Sequence, residues 1–310
     1  MASDAPTLED YQDLRARPFG TNGRGAAALD RPRVTIITVV FNARQTIERT
    51  IDSVQEQDFQ DFEHVIVDGG SSDGTQDVLR ARVRPHDIWI SEPDRGISDA
   101  FNKGVALARG DAVQFLNADD WLSSGQLAIA VDAMDATDAD FVFGDLIFHQ
   151  AGKPAFRYRG EPDYARWIHR HMPPLNHPTA LIKRQAFERV GLFDLNYRCA
   201  MDYEWFLRLH VAGGQGVYIP ELVGNMTHEG VSNINYQQTF REVERIAVAY
   251  GRPAALARVD SILRFAKTTF GKHLEKRAAP LYKFVRARLN HSYQPLSVAE
   301  TGLRDAESDR

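Results

Sequence analysis

The sequence predicts an α/β fold in which a mostly parallel sheet is flanked by helices and followed by a helical C-terminal extension. Between residues 33 and 122, apolar runs rich in β-branched residues alternate four times with segments of helical periodicity. This alternation is typical of parallel strands joined by right-handed crossovers. From residue 236 to residue 290 the periodicity is helical, which predicts the extension.

The elements of the first half follow from their residue patterns. The run Arg33–Phe41 predicts a strand that is buried on both faces. After it, Ile47, Ile51 and Val54 recur at the spacing of an amphipathic helix. The expected strands are 33–41, 62–67, 87–91 and a run that begins at residue 112; the expected helices are 43–57, 75–82, 97–108 and 124–134.

The second half is less regular. The proline-rich segment 173–178 predicts a loop, and Gly191 is expected to end a short helix. Asp202 lies in the acidic first turn of another helix, as the helix dipole favours. The expected strands are 139–148, 155–159, 179–182 and 217–223, and the expected helices are 184–190, a helix from residue 202, and 236–290.

Both ends of the chain are expected to be tails. Residues 1–31 are predicted to be poorly ordered, apart from a short helix within Thr7–Arg17 that Pro18 would interrupt. Residues 292–310 are predicted to form a disordered tail, because they lack apolar periodicity.

Composition narrows the class of protein. With 310 residues, of which 43% are hydrophobic, the chain can bury one large domain with an extension. No apolar run approaches the roughly 20 residues that span a bilayer, and the N-terminus lacks an apolar signal core. The lone Cys199 excludes an intrachain disulfide and a thiolate metal site. The net charge of −5 argues against general nucleic-acid binding. We therefore expect a cytoplasmic protein that does not bind nucleic acid.

Two adjacent carboxylates, Asp119 and Asp120, follow the apolar run that begins at Ala112. Adjacent carboxylates repel each other, and a divalent cation is the usual reason for such a pair, since Mg²⁺ takes one or two carboxylates and completes its shell with substrate phosphates. The alternative is that Asp120 or Ser123 caps the following helix. On these residues alone, the two interpretations are about equally supported.

Other polar clusters follow the other predicted strands, at Asn42, Asp68 and Asp94–Arg95. Ligands of open α/β sheets bind beyond the carboxyl ends of the strands, so this shared position favours the ligand-binding interpretation. Asp68 could instead cap the helix after it. No G-x-G-x-x-G follows the first strand and no G-x-x-x-x-G-K-[ST] occurs, which argues against a dehydrogenase and a P-loop phosphotransferase.

Taken in order, these clusters resemble the family 2 glycosyltransferases of the GT-A fold. The resemblance covers residues 33–233 and rests on the segments 38–42, 67–75, 94–100, 116–120 and 201–205. It implies a single Rossmann-like sheet in a GT-A catalytic domain at residues 32–235. That domain would comprise a nucleotide-binding half (32–122) and an acceptor half (123–235), with the helical extension at 236–291.

The resemblance also implies a reaction: transfer of a sugar from a nucleotide-diphosphate donor, most simply a UDP-sugar, to an acceptor hydroxyl. It assigns the metal, Mn²⁺ or Mg²⁺, to Asp119 and Asp120, and His228 could complete its shell. Asn117 departs from the family's acidic triplet, which leaves open which of Asp119 and Asp120 is the principal ligand. The residues implied to bind the nucleotide-sugar are Thr38, Val40, Asn42, Asp68, Arg95, Asn117, Ala118 and Asp119.

On the acceptor side, we predict that Asp202 is the catalytic base of an inverting reaction and that His177 and Glu204 bind the acceptor. The acceptor hydroxyl needs a base because its own pKa is far too high for attack at neutral pH. Asp202 could instead only cap its helix. Glu204 is the competing base, although two residues along a helix it should face away from Asp202.

Two other functions stay open: a sugar nucleotidyltransferase, and a non-catalytic protein that binds a nucleotide-sugar. The former would normally carry a Gly-rich loop with Arg and Lys after its first strand, which 41–44 is not. We expect a carbohydrate or lipid-linked acceptor, used in polysaccharide or glycolipid assembly. Basic and apolar residues alternate over 264–288, which predicts either peripheral docking at the inner face of the membrane or a solvated helix face.

Overall fold

The computed structural model describes residues 5–16, 31–150, 153–227, 236–277 and 293–296. The helices are α1 (Gln12–Ala16), α2 (Ile47–Gln55), α3 (Thr75–Arg82), α4 (Ile97–Leu107), α5 (Gln126–Asp135), α6 (Tyr164–Trp167), α7 (Arg184–Val190), α8 (Met201–Val211), α9 (Tyr236–Ala249) and α10 (Ala254–Arg277). The strands are β1 (Val34–Val40), β2 (Phe62–Asp68), β3 (Ile88–Ser91), β4 (Ala112–Asn117), β5 (Trp121–Leu122), β6 (Phe141–Gln150), β7 (Lys153–Tyr158), β8 (Leu181–Lys183), β9 (Gly216–Thr227) and β10 (Tyr293–Pro295). Short 3-10 helices span Leu8–Tyr11 and His177–Thr179.

The first four strands are all parallel and confirm the alternation predicted from the sequence. In the sheet they lie in the order β4-β1-β2-β3, with Val40 opposite Asp68 and Val39 opposite Asn117. β1 therefore lies where the strand order reverses, which is where open α/β sheets form a ligand crevice. Every residue of β1 is buried, as expected for a strand covered on both faces.

Helix α4 covers one face of this parallel core. All its residues after the first are buried, and a β-carbon added at Gly104 would lie only 2.3 Å from Cγ2 of Ile37. The glycine therefore lets the helix approach β1 closely. On α2, the predicted apolar positions Ile47, Ile51 and Val54 are buried and form the stripe that faces the sheet.

The second half adds antiparallel pairs to the parallel core. β8 pairs antiparallel with both β4 and β6, and the long strand β9 pairs parallel with β6. β6 therefore runs in the same direction as β4, and the two halves share a single sheet. The predicted strand 179–182 is corrected: a 3-10 turn ends at Thr179, and the strand covers only Leu181–Lys183.

The short helix expected within residues 7–17 is confirmed, as a 3-10 turn at Leu8–Tyr11 followed by α1, but the described parts of both predicted tails pack against the domain. At the N-terminus, Tyr11 and Leu14 are buried in the main hydrophobic cluster with α4, and the Tyr11 hydroxyl donates to Asp99 Oδ1 at 2.6 Å. At the other end, Tyr293–Pro295 forms strand β10 along β7. Neither contact can be predicted from the local sequence pattern, because each depends on residues that are distant in the chain.

The C-terminal extension divides into two parts. In α9, Val243, Ile246 and Ala247 are buried, and Val243 and Ile246 belong to the main hydrophobic cluster; docking through residues 264–288 stays a prediction. In contrast, α10 exposes much of its apolar surface. Among the described residues, no helix combines the length and apolar composition needed to cross a bilayer. The basic residues predicted beyond Arg277 lie outside the described residues.

Candidate active site

The predicted ligand-binding residues lie where the parallel strands end. β1, β2, β3 and β4 run in one direction, so the loops that follow Val40, Asp68, Ser91 and Asn117 meet at one edge of the sheet. We call this the carboxyl edge. It brings together, as predicted, Asn42, Asp68, Asp94–Arg95 and the two adjacent carboxylates Asp119 and Asp120. Along the edge, the two carboxylates after β4 come first, followed by Asn42, Asp68 and Asp94–Arg95.

The backbone of the carboxylate loop, residues 118–120, is held by donors from two other elements. Thr50 Oγ1 on α2 contacts the carbonyl oxygens of Ala118 at 3.0 Å and of Asp120 at 2.7 Å. The carbonyl oxygen of Asp119 accepts from Arg49 Nη2 at 2.9 Å and from Thr227 Oγ1 at 2.8 Å. Three consecutive carbonyl groups are thereby fixed, so the loop is organised before any ligand binds.

Asp120 is completely buried and both its oxygens are occupied. Oδ1 accepts the backbone N–H of Thr227 at 3.0 Å, and Oδ2 accepts Nδ2 of Asn117 at 3.0 Å. Burial, with a smaller contribution from the charge of Asp119, raises the pKa of Asp120 to about 8. Asp120 therefore braces the loop in this structure and is not presented to solvent.

Asp119 differs from its neighbour. Its carboxylate is half-buried, accepts no hydrogen bond from another described residue, and has its pKa raised by burial. Nearby, Oδ1 of Asn117 is buried without a donor among the described residues. The Asp119 carboxylate and the Asn117 amide oxygen accept no hydrogen bond from another described residue. Both are oxygen ligands of the kind that Mg²⁺ and Mn²⁺ prefer.

A cation bound by Asp119 and Asn117 would have an incomplete coordination shell of protein ligands. Within the described parts of the chain, no group of three or more His, Cys, Asp or Glu side chains forms a cation site. A cation at Asp119 would therefore need further oxygen ligands, which a substrate diphosphate and water can supply. His228, the third predicted ligand, lies outside the described residues, and the residue before it, Thr227, is hydrogen-bonded to Asp120.

The loop after β2 is organised by Asp68, which is completely buried. Its carboxylate accepts the Ser71 backbone N–H at 3.1 Å and the hydroxyl groups of Ser71 and Ser91 at 2.5 Å. Asn42, in the left-handed region with φ of 50°, accepts the Ser72 N–H on its side-chain oxygen at 2.9 Å. Asp68 therefore holds the loop and does not cap the following helix, whose N-cap residue is Gly74; its contact with the nucleotide stays a prediction.

Phe41 is a candidate that the sequence analysis missed. Its ring is 65% exposed although it directly follows a buried strand. A β-carbon added at Gly69 would lie 3.3 Å from Phe41 Cδ2 and 2.5 Å from Asp94 Oδ2, so the glycine leaves room for both side chains at the carboxyl edge. An exposed ring here can stack on a nucleobase. The available signal was an aromatic residue at the first position after a continuous apolar strand.

Arg95 lies at the carboxyl edge, where Asp99 and Tyr11 fix its guanidinium group. Its guanidinium pairs with Asp99 at 2.7 Å and contacts the Tyr11 hydroxyl at 3.2 Å, while most of the side chain is exposed. The hydrogen bond to Asp99 raises the pKa of Arg95, so the charge is permanent. Arg95 is thus a fixed cation that an anionic group at this edge can meet.

Three residues predicted to bind the nucleotide-sugar have side chains in the interior. Thr38 is completely buried, and its hydroxyl lies 2.8 Å from Nε2 of His64 on the adjacent strand; the prediction that it contacts the donor is wrong. Val40 and Ala118 pack together in an apolar cluster. They can approach a ligand only through their backbone, because their side chains fill the core.

The acceptor-binding prediction for Glu204 is also wrong. Glu204 is buried and makes a two-point ion pair with Arg208, at 3.0 and 2.8 Å. The Tyr250 hydroxyl donates to the same carboxylate at 2.6 Å. With its oxygens occupied inside the protein, Glu204 is neither an acceptor ligand nor a base that could compete with Asp202.

His177 belongs to an aromatic cluster. Its ring stacks on Phe115, with 5.2 Å between centroids, and meets Phe101 edge-on at 5.5 Å. Burial lowers the pKa of His177 to about 4, so the ring is neutral at physiological pH. Nε2 is buried and has no partner among the described residues. These contacts account for His177 as a packing residue, and its contact with an acceptor stays a prediction.

Asp202 is the second residue of α8 and is half-buried. Oδ1 accepts the Tyr203 N–H at 2.8 Å, and Oδ2 accepts no hydrogen bond from another described residue. The segment before α8 lies near the carboxyl edge, because Ser98, at the start of α4, donates to the carbonyl of Tyr197 at 2.9 Å. Burial raises the pKa of Asp202 to about 6, and the charge of Glu242 adds to this effect.

This pKa gives a pH prediction. A general base acts when deprotonated, and a raised pKa moves the loss of activity to higher pH. If Asp202 is the base, the transfer rate at saturating donor and Mn²⁺ should be constant at neutral pH and fall below pH 6, approaching about tenfold per pH unit. A rate profile from pH 4.5 to 8 measures this. A rate that stays constant down to pH 4.5 would contradict it.

One cavity lined by described residues lies away from the carboxyl edge. It has a volume of about 740 Å³ and is lined by residues 162–166, His210 and residues 213–216. Gly216 begins β9 and lies opposite Phe141, which begins β6. Because both strands run parallel to β4, this cavity lies at the other end of the sheet from the carboxylate loop.

Comparison with known proteins adds a family match. The family model described as glycosyl transferase family 2 matches residues 35–191. A PGL/p-HBAD biosynthesis glycosyltransferase from Mycobacterium bovis is 32% identical over 182 residues, covering 57% of this chain and 69% of the relative. The matched range contains the clusters at the carboxyl edge.

Two solved structures share the fold. S. aureus TarS 1-349 in complex with UDP-GlcNAc has a TM-score of 0.55 and 17% identity, covering 73% of this chain and 69% of TarS. The mannosyltransferase PcManGT from Pyrobaculum calidifontis, in complex with GDP-Man and Mn²⁺, has a TM-score of 0.54 and 20% identity, covering 92% and 87%. At these identities the likeness concerns the fold, and it agrees with the predicted α/β class of the GT-A kind.

Proposed function

The chain belongs to glycosyl transferase family 2, and from this premise we propose that it is an inverting, metal-dependent hexosyltransferase. It moves a sugar from a UDP-sugar to an acceptor hydroxyl. One observation carries the proposal: the carboxylate of Asp119 at the carboxyl edge accepts no hydrogen bond from another described residue, while a second carboxylate, Asp202, has a raised pKa and lies on a separate element. These are the two groups that donor binding and base catalysis require.

Donor binding uses the loops that end the parallel strands. The exposed ring of Phe41 stacks on the base. Asn42 and Asp68 fix the shape of the loop beside it, and Arg95 meets an anionic part of the donor. The choice of UDP follows the TarS neighbour, which was solved with UDP-GlcNAc. The PcManGT neighbour, solved with GDP-Man, makes GDP the comparison to test.

Asp119 holds the cation, Mn²⁺ or Mg²⁺. Asp120 stabilises the loop that carries Asp119 through its hydrogen bonds to Asn117 and Thr227. When bound, the cation stabilises the negative charge that develops on the departing diphosphate. Asp119 is favoured as the ligand over Asp120 because its oxygens accept no hydrogen bond from another described residue, whereas those of Asp120 are occupied by Asn117 and Thr227. The Thr50 and Arg49 contacts keep the Asp119 backbone in place.

Asp202 removes the proton of the acceptor hydroxyl. As the hydroxyl oxygen bonds to the anomeric carbon, its proton passes to Oδ2 of Asp202, and the electron pair of the breaking C–O bond leaves with the nucleoside diphosphate. A single displacement of this kind inverts the anomeric carbon. A pKa of about 6 leaves Asp202 mostly ionised at neutral pH and more basic than an ordinary carboxylate.

Ligand-dependent stability tests the donor site. Melting temperatures are measured with UDP or GDP, each with Mn²⁺ or EDTA. We expect UDP with Mn²⁺ to stabilise the chain most, because a ligand present at 100 times its Kd adds about 2.7 kcal/mol. Turnover of UDP-sugars should then release UDP. Release of pyrophosphate from UTP and a sugar 1-phosphate would favour the nucleotidyltransferase, and tight binding without turnover would favour the non-catalytic binding protein.

We propose a saccharide or lipid-linked acceptor in polysaccharide or glycolipid assembly, as the name of the Mycobacterium bovis relative, a biosynthesis glycosyltransferase, suggests. The exposed face of α10 provides a route to a membrane-bound acceptor. Leu256, Val259, Leu263 and Phe270 are exposed and recur at helical spacing, and Lys267 is exposed on the same helix. Basic amphipathic helices of this composition bind anionic membrane surfaces.

A flotation experiment checks membrane contact. We expect the chain to float with vesicles of phosphatidylglycerol and phosphatidylcholine at low salt and to be released by high salt, because the attraction is partly electrostatic. Changing Leu263 and Phe270, which are 63% and 67% exposed, to serine should abolish flotation without unfolding. Val211→Ser, at an exposed position on α8, is the matched control. Equal flotation of all three proteins would exclude α10 as the contact.

A further inference from the structure

Helix α8, which carries Asp202, lacks a cap of its own. Its N-cap residue is Ala200, which has no side-chain oxygen to accept a backbone N–H. Alanine is among the least favourable N-cap residues, because the first N–H groups of a helix need acceptors. The backbone N–H groups of Arg198, Cys199 and Ala200, which precede the helix, also need acceptors.

Glu242, from the middle of α9, supplies those acceptors. Its Oε2 accepts the N–H groups of Cys199 at 2.8 Å and Ala200 at 2.9 Å, and both its oxygens lie 3.2 Å from the Arg198 nitrogen. Gln238, one turn earlier, donates to Oε1 at 2.8 Å. The side chain is buried. A carboxylate held by three consecutive N–H groups at a helix N-terminus is strongly favoured.

This cap lies two residues before Asp202. The Asp202 carboxylate is oriented by the Tyr203 N–H within the first turn of α8, so its position depends on where that turn begins. Glu242 connects the start of α8 to α9, and α9 is itself anchored by Val243 and Ile246 in the core. A helix outside the family match at residues 35–191 thereby fixes the segment that carries the proposed base.

We propose that Glu242 is a positioning residue for the transfer reaction: it caps α8 from α9 and holds Asp202 in place without touching substrate. The inference rests on the proposed role of Asp202. The negative charge of Glu242 also contributes to the raised pKa of Asp202, which supports a link between the two groups. Misplacing a reacting group by about 1 Å can reduce a rate by about 10²-fold.

The test compares kcat with KM for UDP release from UDP-glucose, UDP-galactose or UDP-GlcNAc, whichever the native chain hydrolyses fastest in Mn²⁺. Glu242→Ala should lower kcat by about 10- to 100-fold, with the donor KM and UDP affinity within about twofold. Glu242→Asp keeps a buried carboxylate but shortens it, so it should stay folded and also lose kcat.

Glu242→Gln should keep a kcat close to that of the native chain, unlike the alanine and aspartate variants. Its amide oxygen can keep the two short bonds to Cys199 and Ala200, and Gln238 can turn its own amide to accept from the new NH₂ group. Glu244→Gln is the matched control, since Glu244 lies on the same helix and pairs with Arg258, at 3.3 Å. Native kcat in both the alanine and aspartate variants, or donor affinity lost in proportion to kcat, would overturn the proposal.

A double variant separates this inference from the proposed function. If Glu242 acts through Asp202, then Glu242→Ala should not slow Asp202→Asn any further. An additional loss in the double variant would contradict positioning through Asp202. If Asp202→Asn alone has native activity, the proposed base is wrong whatever Glu242 does; if it is inactive while the Glu242 variants are native, only the positioning role fails.

Discussion

Replacing Asp202 by asparagine is expected to reduce sugar transfer by about 10²-fold or more while leaving the fold and the donor site intact. Asparagine caps a helix nearly as well as aspartate, and its side-chain oxygen can still accept the Tyr203 N–H that Asp202 Oδ1 accepts at 2.8 Å. It cannot take a proton from the acceptor hydroxyl. Initial rates at saturating UDP-sugar, with UDP affinity from calorimetry, measure the effect.

Two controls accompany this substitution. The melting temperature of Asp202→Asn should match that of the native chain, which excludes a loss of rate through unfolding. Glu204→Gln disturbs the buried pair with Arg208 and is expected to lower stability instead, because Glu204 contacts only interior groups. Near-native transfer by a well-folded Asp202→Asn would assign Asp202 to helix capping alone.

Replacing Asp119 by asparagine is expected to lower the Mn²⁺-dependent affinity for UDP by at least about tenfold, since even residues that only support a metal ligand cost this much. The side chain is half-buried and accepts no hydrogen bond from another described residue, so folding should be little affected. UDP titrations in Mn²⁺ and in EDTA measure the loss. The variant should bind UDP equally weakly under both conditions.

Asp120→Asn is the matched comparison. Asp120 is completely buried and its two oxygens accept hydrogen bonds from Thr227 and Asn117, so asparagine, which has the same shape, fits the same space. The new amide oxygen can accept the Thr227 N–H. Its NH₂ group can donate to Asn117 Oδ1, which has no partner among the described residues, after Asn117 turns its amide, and Asp119 then holds the cation without Asn117. UDP affinity in Mn²⁺ should stay within a few-fold. The reverse ranking of the two variants would make Asp120 the principal ligand.

The parallel core was predictable because its signal is local. A β-branched run buried on both faces predicts β1, and serine and aspartate after β2, which are common N-cap residues, predict where α3 begins; its observed span, Thr75–Arg82, equals the predicted one. The position of the ligand-binding groups followed from topology, since parallel strands end at one edge. Sequence order was therefore enough to bring Asp68 and Asp119 to that edge.

What the sequence left undetermined depends on which way a side chain points. Thr38 and Asn42 belong to one motif, yet Thr38 faces His64 inside the sheet and Asn42 lies at the surface. Glu204 and Asp202 lie in one helical turn. The structure shows that the carboxylate of Glu204 accepts hydrogen bonds from Tyr250 and Arg208 inside the protein. Such contacts join distant parts of the chain, and no local pattern encodes them.

The most direct test of the central claim is real-time proton NMR of the chain with an α-linked UDP-sugar and Mn²⁺, using water as the acceptor. An inverting transferase whose base is Asp202 should release UDP together with the β-anomer of the free sugar before mutarotation, and Asp202→Asn should release neither at a comparable rate. Initial appearance of the α-anomer would contradict a single displacement with Asp202 as the base.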